Sequence, residues 1–145
     1  MNGASLPHNV GAEIEMSTKQ AIATPSAPAA IGPYSQAILD SASGLIFCSG
    51  QIGIDPATGE IVSGGVVAEF EQLGKNVAAL LTAAGSSLPQ VVKTTLFLAD
   101  MADFAAVNAR YAELFSEPFP ARSTVAALGL PKGARVELEV IARRG

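Results

Sequence analysis

The sequence predicts a single α+β domain, in which two helices cover one face of a mixed sheet. Two segments carry an apolar residue at every third or fourth position, which is the spacing of an amphipathic helix. Around them lie short runs of β-branched and apolar residues, separated by glycine, proline or serine, which are typical of strands. The predicted order is β-β-α-β-α-β-β. Two helices can cover only one face of such a sheet, so we expect a homo-oligomer to cover the other.

The N-terminal third predicts a tail followed by a hairpin. Residues 1–18 are polar and lack periodicity, so we expect a flexible tail before a single domain of residues 19–145. Residues 21–24 can form a short edge strand. Residues 34–39 and 45–49 are strand-like runs separated by turn residues, and they predict an antiparallel hairpin.

The middle of the chain predicts a loop, a helix and a strand. Residues 51–60 contain Asp-Pro and Gly residues that favour turns, and they predict a loop with at most a short strand. The apolar residues of 66–84 fall on one helical face, and Gly85 stands where a C-terminal cap is expected. Residues 91–99 are apolar or β-branched almost throughout and predict a buried strand.

The C-terminal third predicts the second helix and the last two strands. Asp103 is the expected N-terminal cap of that helix, which ends before Pro118. Residues 121–127 predict a strand. Residues 135–142 predict another, in which apolar residues alternate with Glu137 and other side chains of the opposite face.

Composition argues against a nucleic-acid or membrane partner. The chain has 145 residues, nine Lys plus Arg and a formal net charge of −4, whereas nucleic-acid affinity depends on clustered positive charge. Nothing approaches the roughly 18 uninterrupted apolar residues of a membrane span, and we expect a cytoplasmic protein.

The chain has one histidine, His8, and one cysteine, Cys48. His8 lies in the predicted tail, so nucleophilic sites that need a histidine base, and zinc sites built from His and Cys, are not expected in the domain. No metal or organic cofactor is predicted. Cys48 lies in an apolar run and is expected to be a small buried residue.

Arg122 is the candidate anion receptor. It follows Pro120 in a strand that is otherwise made of small and β-branched residues, and charge is scarce, since only 15% of the residues are charged. A guanidinium fixed in such a strand can bind a carboxylate through two parallel hydrogen bonds. The alternative is an ordinary surface or interface ion pair.

Six motifs in order carry a resemblance to a known family. They are Ala30 to Ala37 (AIGPYSQA), Ser49 to Ile52 (SGQI), Val92 to Thr95 (VKTT), Asp103 to Asn108 (DFAAVN), Phe119 to Ser123 (FPARS) and Leu130 to Lys132 (LPK). From about Lys19 to Arg144 the chain resembles the RidA/YjgF family of 2-iminoacid deaminases. The resemblance implies a chorismate-mutase-like fold, a homotrimer and a site between neighbouring subunits. It also implies cofactor-independent hydrolysis of enamines and imines, such as 2-aminoacrylate (2-iminopropanoate) and 2-iminobutanoate, to 2-keto acids and ammonia.

The resemblance also assigns roles to residues. Arg122 would bind the substrate carboxylate, and Glu137 would orient the water. The other positions that it places in or beside the site are Tyr34, which lines the cleft, Gly50, which admits the substrate, Ser49, Asn108 and Thr124. Many family members have cysteine at the position of Thr124, so thiol chemistry is excluded there, while a bound water is not.

Other interpretations of these residues and of the function stay open. Glu137 can be a solvated or ion-paired carboxylate, Tyr34 can cap the sheet, and Asn108 can be an exposed polar residue of the helix. The protein can be a non-catalytic module that binds small carboxylates such as 2-keto acids. It can also be a ribonuclease or translation inhibitor, an activity attributed to some family members, although the acidic charge disfavours this.

Overall fold

Residues 18–145, which the computed structural model describes, form a six-stranded mixed sheet with two α-helices. The strands are β1 (Lys19–Ile22), β2 (Ala37–Asp40), β3 (Leu45–Gln51), β4 (Val91–Leu98), β5 (Ala121–Ala126) and β6 (Val136–Arg143). The helices are α1 (Val66–Ala83) and α2 (Phe104–Leu114). The predicted class is confirmed, and the expected edge strand adds β1 to the predicted order. The tail predicted over residues 1–18 lies outside the described residues, apart from Thr18.

The strands of the sheet follow the order β1-β2-β3-β6-β4-β5. β4 and β5 are parallel, whereas the other neighbouring strands are antiparallel. Parallel strands need a crossover connection, which α2 supplies between β4 and β5. β5 is consequently an edge strand, while β6 lies between β3 and β4. Arg122 is therefore on an edge and Glu137 is in the interior of the sheet.

The predicted hairpin is confirmed, but its first strand begins later than expected. β2 and β3 are antiparallel and pair Ile38 with Phe47. The strand was expected from Tyr34, and it begins at Ala37 because the preceding backbone turns. The Tyr34 N–H donates to the carbonyl oxygen of Gly32 at 2.9 Å, and Gly32 has a φ of +133°. Tyr34 thus stands on a loop beside the sheet.

α1 ends as the sequence predicts, with Gly85 in a left-handed conformation at a φ of +79°. The Gly85 N–H donates to the Thr82 carbonyl oxygen at 3.1 Å, and the Ser86 N–H donates to the Leu81 carbonyl oxygen at 2.7 Å. These two bonds are those of a Schellman motif, which satisfies carbonyl groups that the helix leaves unpaired. Neither α-helix of the described chain is long and apolar enough to span a bilayer.

The expected cap of α2 is wrong. The Asp103 side chain makes no capping hydrogen bond and instead accepts two hydrogen bonds from Arg135 Nη2, both at 3.1 Å. Asp100 caps the 3₁₀ turn that precedes the helix, because its Oδ1 accepts from the Ala102 N–H at 2.9 Å. The α2 start is thereby fastened to the beginning of β6.

Both helices pack on one face of the sheet, as predicted. Burial of apolar side chains here is the main stabilising term of the fold. The largest fully buried side chains are Phe70, Leu73, Val77, Leu80 and Leu81 of α1, Val107 of α2, and Ile46, Leu96, Leu98, Val136, Leu138 and Val140 of the strands. Cys48 is also buried, as predicted, and burial raises the pKa of its thiol to about 12.

The other face of the sheet carries exposed apolar side chains beside Glu137 and Glu139, and no helix of the described chain covers it. Ile141 pairs with Phe47 across β3 and β6, and Phe47 is 43% exposed. Val125 of β5 pairs with Phe97 on this same face and is 45% exposed. Because monomeric proteins rarely leave contiguous apolar surface in water, this open face of the sheet is suited to contact with another chain.

Candidate active site

The predicted site residues fall into two groups. One group lines a cavity of about 690 Å³ beside β3 and β6, and it consists of Tyr34, Ser49, Gly50 and Glu137. The other lies between β5 and α2, where a smaller concavity of about 390 Å³ is lined by Asn108 and Arg122. Thr124 follows Arg122 on β5.

The strand register places Arg122 and Glu137 on opposite faces of the sheet. Arg122 pairs with Thr94 of β4, and Glu137 pairs with Phe97 of the same strand. Thr94 and Phe97 are three residues apart, and successive side chains of a strand alternate between its faces. Thr94 is fully buried beneath α2, so Arg122 shares the helix-covered face and Glu137 lies on the open face. Within one chain these two residues therefore do not share a site.

Glu137 is half-buried in the larger cavity, in an environment that favours its protonated form. Burial raises the pKa of its carboxyl group, and the negative charge of Glu139 on the same strand raises that pKa further. Among the described residues no cation makes an ion pair with it. A carboxyl group with a raised pKa accepts a proton more readily than an ordinary glutamate, which is a property required of a general base.

Gly50 provides the space that the Glu137 carboxylate occupies. A methyl group added at Gly50 would overlap Glu137 Oε2 and would lie 2.9 Å from its Cδ. The neighbouring Ser49 is used for structure, since its Oγ donates to the Ser35 carbonyl oxygen at 2.6 Å. The resemblance gave Gly50 the role of admitting the substrate; the geometry shows that it first admits the carboxylate.

Two buried amide side chains hold the walls of this cavity. Gln36, which is 5% exposed, donates from Nε2 to the Pro28 carbonyl oxygen at 2.8 Å. Asn76, which is 1% exposed, donates from Nδ2 to the carbonyl oxygens of Ile52 and Ile54 at 3.2 and 2.9 Å. The sequence reasoning missed both. The sequence did contain a signal for Asn76. It lies three residues after Leu73, so the two residues share one face of α1 and Asn76 is expected to face the core.

Tyr34 and Lys132 stand at the rim of the cavity. Tyr34 is 53% exposed, and its hydroxyl oxygen accepts from the Ile31 N–H at 3.3 Å, so the ring lines the cavity without covering the sheet. Lys132, which the sequence reasoning did not assign, lines the same cavity and has a φ of +57°. Its Nζ donates to the Gly59 carbonyl oxygen at 3.2 Å.

Arg122 is held in place without a carboxylate partner. Its Nη1 donates to Asn108 Oδ1 at 2.8 Å, and within residues 18–145 it makes no ion pair. A guanidinium carries five N–H donors, so most of them remain available to an external anion. Asn108 orients the arginine, and an anion receptor at Arg122 stays a prediction.

Two aromatic rings to which the sequence analysis gave no role in the site also contact Arg122. The Cζ atom of Arg122 lies 4.6 Å from the ring centroid of Tyr111 and 5.6 Å from that of Phe104. These distances are within the range of cation–π contacts. Both residues lie on the face of α2 that packs toward the sheet. Their position in the apolar pattern indicates burial in the core and gives no sign of a contact with Arg122.

Thr124 faces the same side of β5 as Arg122. Its Oγ1 is buried and has no hydrogen-bond partner among the described residues. A buried hydroxyl group without a partner is uncommon, and a water, a ligand or a neighbouring chain can satisfy it. No group of three or more His, Cys, Asp or Glu side chains in residues 18–145 is placed to hold a metal ion.

Comparisons with known proteins match nearly the whole described chain. The 2-iminobutanoate/2-iminopropanoate deaminase of Capra hircus is 50% identical over 127 residues, which are 88% of this chain and 91% of that protein. The deaminase of the same name from Homo sapiens is 49% identical over 127 residues, which are again 88% of this chain and 91% of that protein. The crystal structure of the YjgF gene product from E. coli has a TM-score of 0.79 and 46% identity, covering 87% of this chain and 99% of that chain.

A family model agrees with these matches. It is described as Endoribonuclease L-PSP, and it matches residues 24–144, which is most of the chain and includes every predicted site residue. The match, the identities near 50% and the shared fold agree with the six motifs. The chain therefore belongs to the RidA/YjgF family.

Proposed function

We propose that this protein is a deaminase that hydrolyses 2-iminopropanoate, its enamine form 2-aminoacrylate, and 2-iminobutanoate to 2-keto acids and ammonia. The relatives with about 50% identity that carry this activity in their names support the proposal. The observation that carries it is the Arg122 guanidinium, held by an amide oxygen and two aromatic rings with no carboxylate partner in the described chain.

Arg122 would bind the planar carboxylate of the imino acid through two parallel, charge-assisted hydrogen bonds. Asn108 occupies one of its donors and limits the rotation of the side chain. With the carboxylate fixed, the adjacent C2 atom is held in one position, which lowers the entropic cost of the attack by water. A lysine could supply the charge but not the paired geometry.

Glu137 would orient the attacking water and accept its proton. The substrate reacts as its iminium ion: the oxygen of water bonds to C2, one proton of that water passes to Glu137, and the C=N π electrons move to nitrogen, which gives a neutral tetrahedral amino alcohol. The protonated Glu137 returns that proton to the amino group, the C–N bond breaks to release ammonia, and the hydroxyl proton passes through the Glu137 carboxylate to ammonia, which leaves the keto acid. The raised pKa of Glu137 favours the state in which it holds the proton taken from water.

The assembly that we propose is a homotrimer with a site between neighbouring chains. Arg122 and Glu137 lie on opposite faces of one sheet, so a site that contains both needs a second chain. The open face of the sheet, with Phe47 and Val125 exposed, supplies apolar surface for the contact. Thr124, with its unpartnered hydroxyl, would lie at the same boundary and bind substrate or water.

A ribonuclease is the second candidate, because the matching family model is described as an endoribonuclease. The net charge of −4 opposes it, since binding to a polyanion gains from positive charge. A non-catalytic module that binds 2-keto acids would use Arg122 in the same way. The experiment must therefore separate hydrolysis from binding and from RNA cleavage.

A coupled assay makes that separation. A serine dehydratase releases 2-aminoacrylate, and pyruvate formation is followed with and without this protein. Arg122→Ala is expected to lower the acceleration by about 30- to 1000-fold, which corresponds to roughly 2–4 kcal/mol for a lost charged contact. Arg110→Ala is the matched control, because Arg110 is an exposed arginine of α2 whose partners are Glu71 and Glu113.

The outcomes distinguish the three candidates. Acceleration by the wild type that Arg122→Ala removes and Arg110→Ala retains supports the deaminase. Binding of pyruvate without any acceleration would favour the binding module. Cleavage of RNA that survives Arg122→Ala would favour the ribonuclease.

Mixing two variants of strongly reduced activity tests the shared site. Arg122→Ala and Glu137→Ala are refolded together, so that some boundaries combine an intact Arg122 from one chain with an intact Glu137 from the next. Random assembly is expected to restore about a quarter of wild-type activity. Sedimentation should give three times the chain mass of 14.7 kDa. A monomeric mass, or no recovery on mixing, would contradict the intersubunit site.

A further inference from the structure

We propose that Tyr111 is a positioning residue for the anion receptor, whose ring holds the Arg122 guanidinium in its binding orientation before substrate arrives. This inference rests on the part of the proposed function that makes Arg122 the carboxylate-binding group. The Cζ atom of Arg122 lies 4.6 Å from the Tyr111 ring centroid, closer than the 5.6 Å to Phe104.

The Tyr111 ring is itself fixed from two sides. Its hydroxyl group shares a hydrogen bond of 2.7 Å with Thr94 Oγ1, and Thr94 is fully buried in the central strand β4. Its ring packs against Phe115 with centroids 4.7 Å apart. Tyr111 is only 4% exposed, so the ring cannot leave the core without breaking these contacts. The ring that contacts the guanidinium is therefore held by its packing in the core as well as by its hydroxyl group.

An aromatic ring is suited to this task because it does not neutralise the cation. A carboxylate would hold Arg122 firmly, but it would occupy the N–H donors and cancel the charge that an anion needs. A ring face attracts the guanidinium through its quadrupole and uses no N–H donor. Asn108 takes one hydrogen bond from Nη1 through a neutral oxygen. Arg122 thus keeps its charge and most of its N–H donors, while its side chain is restricted to few rotamers.

The energetic consequence is a lower entropic cost of binding. A free arginine side chain has many rotamers, and ordering it on binding opposes association. Removing the ring should therefore weaken the binding of a small carboxylate about tenfold. Because the carboxylate is bound in both the ground state and the transition state, the loss should appear mainly in KM, with kcat changed less than about threefold.

The binding test uses pyruvate as the probe and calorimetry as the measurement. Tyr111→Leu removes the ring, whereas Tyr111→Phe keeps it and loses only the hydroxyl group. We expect about tenfold weaker binding for the first and less than about twofold for the second. Phe70→Leu is the matched control, because Phe70 is a buried ring of the same core that is not among the rings in contact with Arg122. It should destabilise the fold in urea and leave the pyruvate affinity unchanged.

A measurement on the wild type keeps the proposal testable even where Tyr111→Leu does not fold. The order parameter of the Arg122 Nε–H bond is measured by NMR without ligand. We expect a value near that of rigid backbone, about 0.85, and a value below about 0.6 would refute the proposal. Tyr111→Leu binding pyruvate as well as Phe70→Leu does would refute it too. Neither readout needs hydrolysis, so failure of the deaminase assay with these results intact would reject the reaction and keep the role of Tyr111.

Discussion

Replacing Gly50 with alanine is expected to displace the Glu137 carboxylate and to leave the fold nearly intact. The new methyl group would lie 2.9 Å from Glu137 Cδ, which must retreat by at least about 0.5 Å to reach an ordinary contact of 3.4 Å. Oε2 overlaps the methyl outright, so it must move by more than that, on the order of 1 Å. The obstacle is the far end of a flexible side chain, and a changed rotamer costs only about 1 kcal/mol.

The catalytic consequence should be much larger than the structural one. A shift of about 1 Å in a reacting group can lower the rate about 100-fold, and we expect this loss in kcat for Gly50→Ala. Gly129→Ala is the matched control, since a methyl group at Gly129 would meet no atom within 4 Å. Its activity and its urea midpoint should equal those of the wild type.

A double-mutant cycle identifies the cause. In the Glu137→Ala background the carboxylate is gone, so Gly50→Ala should then change kcat by less than about twofold. Both comparisons use the coupled dehydratase assay at saturating substrate. If Gly50→Ala costs as much in the Glu137→Ala background as in the wild type, the methyl group acts on the substrate and the displacement argument is refuted.

The remaining predictions concern the two charged groups of the site. Asn108→Asp places a carboxylate beside Arg122 Nη1, at the position where the Asn108 Oδ1 atom accepts a hydrogen bond at 2.8 Å. The resulting internal ion pair should compete with the substrate carboxylate and raise KM by about 10- to 100-fold. An unchanged KM would contradict this. The acid limb of kcat/KM should lie above pH 4.5, the ordinary glutamate value, because burial and Glu139 raise the pKa of Glu137. Glu139→Gln removes the like charge and should move that limb to lower pH, whereas a shift to higher pH would oppose the assignment. Activity and stability should respond to pH in opposite directions at this group. As the pH rises through the raised pKa of Glu137, kcat/KM increases, whereas the contribution of Glu137 to the free energy of unfolding is lost.

Local pattern predicted the helices well and their caps unevenly. α1 was predicted within a residue of its observed end, because its apolar period continues until Gly85 permits a left-handed turn. Asp103 could not be assigned correctly from neighbouring residues. Its carboxylate can cap a helix or bind a cation, and its actual partner, Arg135, lies 32 residues further along the chain. Tertiary contacts of this kind decide among local alternatives that have similar energies.

The site residues could be predicted by motif, but their arrangement could not. Arg122 and Glu137 lie in segments with recognisable patterns, and both prove to line concave surfaces. Their placement on opposite faces depends on the register of β4 with both of its neighbours, because a shift of one residue would exchange the faces. Tyr111 could not be assigned to the site for a different reason. Its ring packs in the core and also contacts Arg122, but the helical pattern of apolar residues indicates only the first of these.

The separation of Arg122 and Glu137 across the sheet has a chemical advantage. If one chain held both groups in contact, the guanidinium would pair with the carboxylate and lower its pKa, and the substrate would have to displace that pair. On opposite faces, Glu137 keeps the raised pKa that burial produces, and Arg122 keeps its charge and most of its donors unused. In the proposed trimer the two groups would first meet where two chains adjoin, with room between them for an imino acid. The oligomer would then serve as the means of bringing an acid and a cation close to one substrate without letting them neutralise each other.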